Sequence, residues 1–437
     1  MADDPIAQAS EDADTPATEE GRQAKTSRWQ RFADRLASLR KVTVDALVLV
    51  SVLALVAFAV VDLMRDRIVI EEIALPEALQ EQGFTGVVAA NWLWDAMLKI
   101  QEDSGTRKEH ASLLGASRQF DLVEPGSGVS LQALSAMLRG LFGRDRTRIA
   151  GEVICGDPKC SREMLSLHLR VFSGARMRPI GIGPVNGRTI AGYFADTALE
   201  VMKEVDPYTA AWYLYDAAGA HDAGVIIARN LVKEDHPQSA WAANLIGNAA
   251  RRDGRDEAAI EWYERALTLS EEHGPPDFAL PYNGWGNALN ELRRHEEATQ
   301  KFQQATELDP SDAYPWNGWG NSLGALGRQA EAIEKYRQAT ELDQDFAHPL
   351  NGWGNNLSAL GRHEEAIEKY RRAAELDPSD AMPLENWGIS LLRFLRENES
   401  KMCARFSEFG VPYLNAAGGT APDGIARTLE EVAAWCR

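Results

Sequence analysis

Between Ala279 and Leu414 the chain repeats itself every 34 residues without a gap. Trp285, Trp319, Trp353 and Trp387 recur at that spacing, as do Gly286, Gly320, Gly354 and Gly388. Ala298, Ala332 and Ala366 repeat; so do Phe302, Tyr336 and Tyr370, then Ala305, Ala339 and Ala373. Pro310 and Pro378 close their units, and Gln344 stands where the unit between them would have proline. An earlier copy starts near Ala240 with Gly247, Ala259, Tyr263 and Ala266, and is followed by an insertion around Gly274-Pro275-Pro276. A unit this short cannot bury its own apolar face. Stacked units bury a continuous core, so the period predicts a solenoid.

The order of a large apolar residue, Gly, Ala, an aromatic, Ala and Pro resembles the tetratricopeptide repeat family. The resemblance implies one antiparallel helix pair per unit and a superhelix with an inner groove. Small Gly and Ala let paired helices approach, aromatics fill the space between pairs, and proline ends the second helix. We expect the array over 240–415, a degenerate helix pair at 207–239, and a capping helix at 416–437 to cover the last apolar face. The fold supports many binding roles and by itself names none.

Two positions four apart on each first helix share one face. They are occupied by Asn244 and Asn248, Asn283 and Asn287, Asn317 and Asn321, and Asn351 and Asn355. By analogy with the family this face lines the groove. Asparagine is a poor helix former, and its amide offers two donors and an acceptor. One reading is a ladder that pairs with the backbone of an extended polypeptide. The other is interhelix hydrogen bonding copied by duplication. Tyr314 and His348 would flank the groove, and Glu385 and Ile389 end the ladder. No basic clamp for a terminal carboxylate is evident at these positions.

Residues 46–61 carry no charge, and Val42 to Met64 is long enough for a transmembrane helix. Arg and Lys residues crowd its N-terminal side, which places the N-terminus in the cytoplasm and the rest in the periplasm of a bacterial inner membrane. An acidic disordered tail is expected over 1–26 and a basic amphipathic helix on the bilayer over 27–41. Competing readings are a signal peptide cleaved after Ala57-Phe58-Ala59, a buried helix, and the reversed topology.

Residues 68–205 do not repeat and read as a small α+β domain. Strands are expected at Ile68–Leu75, Gln119–Val123, Thr147–Ile154, Met164–Val171 and Arg178–Ile182, and helices at Val87–Gln101, Ser130–Phe142 and Thr189–Glu204. Gly181, Gly183 and Gly187 do not have dinucleotide spacing, and a glycine turn before a helix capped near Asn186 is the better reading. Cys155 and Cys160 flank a Gly-Asp-Pro turn at a hairpin tip, while Cys403 and Cys436 fall on the last two helices. Both pairs are disulfide candidates, with free buried thiols as the alternative.

His295 and His363 take turn positions and should face solvent. No metal-ligand spacing, nucleophile motif or phosphate loop occurs, so neither an enzyme nor a cofactor nor a metal is expected. With 46 Lys and Arg against 65 Asp and Glu, net −19, the chain is a poor ligand for nucleic acid. The fold class expected is mainly α: one transmembrane helix, a small α+β domain, then a solenoid with capping helices. The expected role is a membrane-anchored scaffold or assembly factor binding an extended polypeptide. Alternatives are a subunit of an oligomeric envelope complex and an envelope enzyme with an unrecognised site.

Overall fold

The structure is a computed structural model that describes residues 67–106, 112–114, 146–174, 176–275, 277–417 and 423–436. A five-stranded sheet comes first: β1 (Arg67–Ile70), β2 (Ser112–Leu114), β3 (Thr147–Cys155), β4 (Leu165–Ser173) and β5 (Arg176–Ile182). Its order is β2-β1-β3-β4-β5, with β1 parallel to both neighbours and β3, β4 and β5 forming an antiparallel meander. In β4, Leu167, Leu169 and Val171 point inward and alternate with exposed His168 and Arg170, the period of a sheet with one wet face. β2 was not expected from the sequence.

Two helices cover the sheet's inner face. In α1 (Gly86–Ser104), Ala89, Ala90, Leu93, Met97 and Ile100 form a buried stripe at helical spacing. Thr85 caps its start and left-handed Gly105 ends it. In α2 (Ile190–Val205), Tyr193, Phe194, Ala198, Val201 and Met202 do the same. The cap of α2 is Thr189, whose hydroxyl accepts from Gly192 N at 3.0 Å; Asn186 and Gly187 form the turn before it, both at positive φ.

Paired helices follow. They are α3 (Pro207–Tyr215) with α4 (His221–Lys233), α5 (Ser239–Arg252) with α6 (Asp256–His273), and α7 (Ala279–Glu291) with α8 (His295–Leu308). Next come α9 (Ala313–Ala325) with α10 (Gln329–Leu342), α11 (Ala347–Ala359) with α12 (His363–Leu376), and α13 (Ala381–Glu397). A helical segment, α14 (402–417), and α15 (Asp423–Trp435) close the end. Trp387 meets Tyr413 edge-on at 5.4 Å and Phe394 meets Phe409 at 5.6 Å, which binds α13 to α14. Disulfides join Cys403 to Cys436 and, in the sheet domain, Cys155 to Cys160.

The two parts meet at Asp206, 1% exposed. Its carboxylate caps α3 through Thr209, and Oδ1 accepts from Gln238 Nε2 at 2.9 Å. Gln238 Oε1 in turn accepts from Tyr208 N at 3.0 Å. One buried carboxylate thus ties the corner between α2 and α3 to the start of α5, its oxygens answered as burial demands.

Two expectations are corrected. The first is the transmembrane helix at 42–64, and with it the inner-membrane, periplasmic placement and the bilayer contact. Among the described residues no helix is long and apolar enough to cross a membrane. The longest, α1, carries Asp95, Lys99, Glu102 and Asp103 opposite its apolar stripe and is committed to the core. The segment 42–64 itself lies outside the described residues, as do 1–26, 27–41, Gln119–Val123 and Ser130–Phe142. The second is His363, which does not face solvent: it is 6% exposed, with Nε2 3.4 Å from Glu397 and Nδ1 3.4 Å from Ser358 Oγ. His295 is half-buried, its Nδ1 3.1 Å from Asn290 Oδ1.

Candidate interaction groove

The first helices of successive pairs, α5, α7, α9, α11 and α13, touch one another side by side. The second helices make no comparable lateral contact among the described residues. A stack held closer along one layer bends toward it, so the first helices line the concave face.

Each unit is joined to the next by an aromatic wedge. A Cβ added at Gly320 would lie 2.7 Å from the Tyr336 ring, and one at Gly352 would lie 2.6 Å from it. The ring therefore fits between a glycine of its own unit and a glycine of the following one. Tyr263 sits likewise between Gly247 and Gly284, and Phe302 between Gly286 and Gly318. Tyr370 packs on Gly354, but the following unit offers Asn386 in place of glycine. The glycines admit rings rather than a neighbouring backbone, which refines the role expected of them.

The wedge carries a hydroxyl to the groove. Tyr263 donates to Asn248 Oδ1 at 2.8 Å, Tyr336 to Asn321 Oδ1 at 2.7 Å, and Tyr370 to Asn355 Oδ1 at 2.9 Å. Phe302 has no hydroxyl for Asn287. Burial pushes the Tyr263 and Tyr336 hydroxyls far above their ordinary range and that of Tyr370 to about 12, so all three stay protonated donors.

The asparagines one turn earlier behave differently. Among the described residues, the Oδ1 atoms of Asn244, Asn283 and Asn317 are buried without a hydrogen-bond partner. Asn244 is only 3% exposed. In the last rung Asn351 Oδ1 accepts from Asn386 Nδ2 at 3.0 Å. The ladder is therefore two rows: one engaged by tyrosine, the other holding buried, unpartnered acceptors until α13 answers the last of them. Glu385 and Ile389 follow, both exposed.

Asn244, Asn248, Asn283, Asn287 and Tyr314 line a cavity of about 460 Å³. The sequence reading missed its other walls. Gly105 and Thr106 at the end of α1 close one side, and Arg251 and Arg252 supply positive charge. Arg251 Nε is buried without a hydrogen-bond partner among the described residues, and Arg252 lies over the Tyr215 ring at 4.9 Å. From the cavity wall Tyr314, 51% exposed, meets Phe346 at 4.8 Å, and Phe346 meets His348 at 5.6 Å. Tyr314 and His348 thus share Phe346 as an aromatic partner, and of the two Tyr314 borders the cavity.

Within each unit a lysine of the second helix meets a tryptophan of the first. Lys301, Lys335 and Lys369 each stand 3.7 Å from the ring centres of Trp285, Trp319 and Trp353. Burial holds all three ammonium groups below their ordinary range. Among the described residues no group of His, Cys, Asp and Glu is placed to hold a metal ion.

Tetratricopeptide repeat models match residues 214–272, 283–347 and 354–393. The C-terminal half of the chain carries tetratricopeptide repeats. The chain is similar to a thermophilic repeat protein, TTC0263 of Thermus thermophilus, at 23% identity over 43% of this chain and 98% of that one, with a TM-score of 0.36. It is similar to YrrB, a repeat protein described as having an unusual peptide-binding site, at 20% identity over 47% and 97%, TM-score 0.35. MamA of Desulfovibrio magneticus RS-1 is 18% identical over 40% and 94%, TM-score 0.33. No curated protein matches the chain.

Proposed function

We propose that the repeat array is a protein-interaction scaffold whose concave face takes an extended segment of another polypeptide. The observation that carries this is the row of buried, unanswered amide oxygens on Asn244, Asn283 and Asn317. Each such acceptor costs about 1–3 kcal/mol while unpaired; turning the amide about its broad terminal torsion brings the oxygen to the groove, where a peptide N–H answers it. The spacing suits a polyproline II strand. Neighbouring helix axes stand about 8–10 Å apart, and such a strand advances about 9 Å per three-residue turn with its N–H groups free. Every third N–H then faces one rung. Arg251 and Arg252 favour a ligand that brings an acidic group to the cavity end.

The test is to pan a random-peptide display library against the full chain and measure the selected peptides by fluorescence anisotropy. The double variant Asn283→Ala, Asn317→Ala is expected to weaken them roughly tenfold or more, two lost hydrogen bonds at about 1 kcal/mol each. Glu334→Ala, exposed on a second helix, is expected to change nothing. Peptides that bind both variants equally, or a library that yields none, would exclude the groove.

A further inference from the structure

A second cavity, of about 320 Å³, opens in the sheet domain, away from the repeats. One lip is an aromatic row. Phe84 meets Trp92 at 6.2 Å, Trp92 meets Phe194 at 5.5 Å, and Phe194 meets Tyr193 at 6.1 Å, all edge-on. Leu165 and Leu167 of β4 and Val153 of β3 form the opposite wall. Phe84 is 42% and Trp92 36% exposed, so these rings are held open to solvent rather than packed away. Large apolar side chains clustered at a concave opening are the usual sign of a binding site.

The polar groups at this cavity are few. The Tyr193 hydroxyl is already satisfied: it accepts from Leu167 N at 2.8 Å and donates to Ile182 O at 3.2 Å. It therefore adds no demand for a polar ligand. Among the described residues lining the cavity only Arg162 is charged. Arg162 is exposed, and its Nη2 donates to Arg188 O over a long 3.4 Å. Its neighbour Arg188, by contrast, is held by Asp196 at 2.9 Å. Apolar walls with a single cation at the rim fit one class of molecule.

We infer that the sheet domain binds a medium-chain fatty carboxylate, its alkyl chain between the Trp92 row and β4 and its carboxylate on Arg162. The volume lies at the small end of the range for ligand sites, about 300–1,000 Å³, which suits one chain and excludes a two-chain lipid.

The experiment titrates the full chain with the fluorescent fatty acid dansylaminoundecanoate and displaces it with laurate or with dodecanol, the uncharged counterpart. Saturable fluorescence displaced by both is expected. Arg162→Glu is expected to weaken laurate roughly tenfold and to leave dodecanol within about twofold, since only one of them carries the charge. Trp92→Ala is expected to weaken both. Circular dichroism of each variant checks the fold, and Arg162→Glu alters a solvent-facing side chain, so it remains informative if Trp92→Ala unfolds. Three results would overturn the assignment: no saturable fluorescence, fluorescence indifferent to both substitutions, or equal losses of laurate and dodecanol with Arg162→Glu.

Discussion

Tyr336 lies between Gly320 of its own repeat and Gly352 of the next, and its hydroxyl emerges to donate to Asn321 Oδ1 at 2.7 Å. One side chain thereby joins three helices and fixes the amide that borders the groove. The bulk of the ring sets the spacing of the units, and its polar tip sets the orientation of a groove residue.

Phe302 is the one wedge among Tyr263, Phe302, Tyr336 and Tyr370 without a hydroxyl. Phe302→Tyr is expected to donate to Asn287 as its counterparts do to their asparagines, and to stabilise the array by about 0.5–1.5 kcal/mol. Urea denaturation of the two chains measures it, and an unchanged midpoint would mean that Asn287 is already satisfied by solvent.

Gly352→Ala should have the opposite sign from an ordinary helix substitution. Alanine normally gains about 1 kcal/mol over glycine in a helix interior. Here its Cβ would stand 2.6 Å from the Tyr336 ring, inside contact distance. A net loss of about 1–3 kcal/mol is expected, the usual cost of overpacking. A stabilised variant in thermal denaturation would show that the units can slide apart freely.

Stability should fall in alkali. The Tyr370 and Tyr413 hydroxyls are pushed up to about 12 by burial, while an unfolded tyrosine ionises near 10. Above about pH 10 the unfolded chain releases protons that the folded one keeps, so unfolding becomes easier as pH rises toward about 12. The half-buried lysines act with the reverse sign, because their lowered folded values favour the folded chain as pH climbs to about 10.4. The decline therefore sets in above that point. Tyr370→Phe is expected to remove about 1 kcal/mol of the loss seen between about pH 8 and about pH 11, read from denaturation curves at both pH values.

Cys403 and Cys436 tie α14 to α15 across a separation of 33 residues. By chain entropy this closure is worth about 3–4 kcal/mol to the cap. Cys436→Ser should free α15, seen as fast amide exchange over 423–436 while α9 and α10 stay protected. Equal protection in both chains would show that Leu429, which is fully buried, holds the cap unaided.

The repeated helices were legible because each unit states its pattern several times over. The 34-residue spacing of Trp285, Trp319 and Trp353 marked out three units, and each holds one helix pair between α7 and α12. The groove asparagines were legible as a set, but their division into two rows was not. That division depends on where a tyrosine hydroxyl emerges, and the tyrosine stands on the other helix of the pair. Arg251 and Arg252 gave no periodic signal, because they serve the cavity once, where Thr106 of the sheet domain arrives. His363 looked like a turn residue because Glu397, which meets it from α13, belongs to the next unit.

The wedge also bears on how such a chain changes length. Three consecutive seams use the same fitting, a ring from one unit received by a glycine of the next, at Gly284, Gly318 and Gly352. A duplicated unit spliced into any of them meets the surface it left, so the array can lengthen or shorten by whole copies without redesign. At the fourth seam Asn386 replaces the receiving glycine and bonds back to Asn351. The unit that begins at Ala381 lacks the receiving glycine, so this one junction is not interchangeable with the other three.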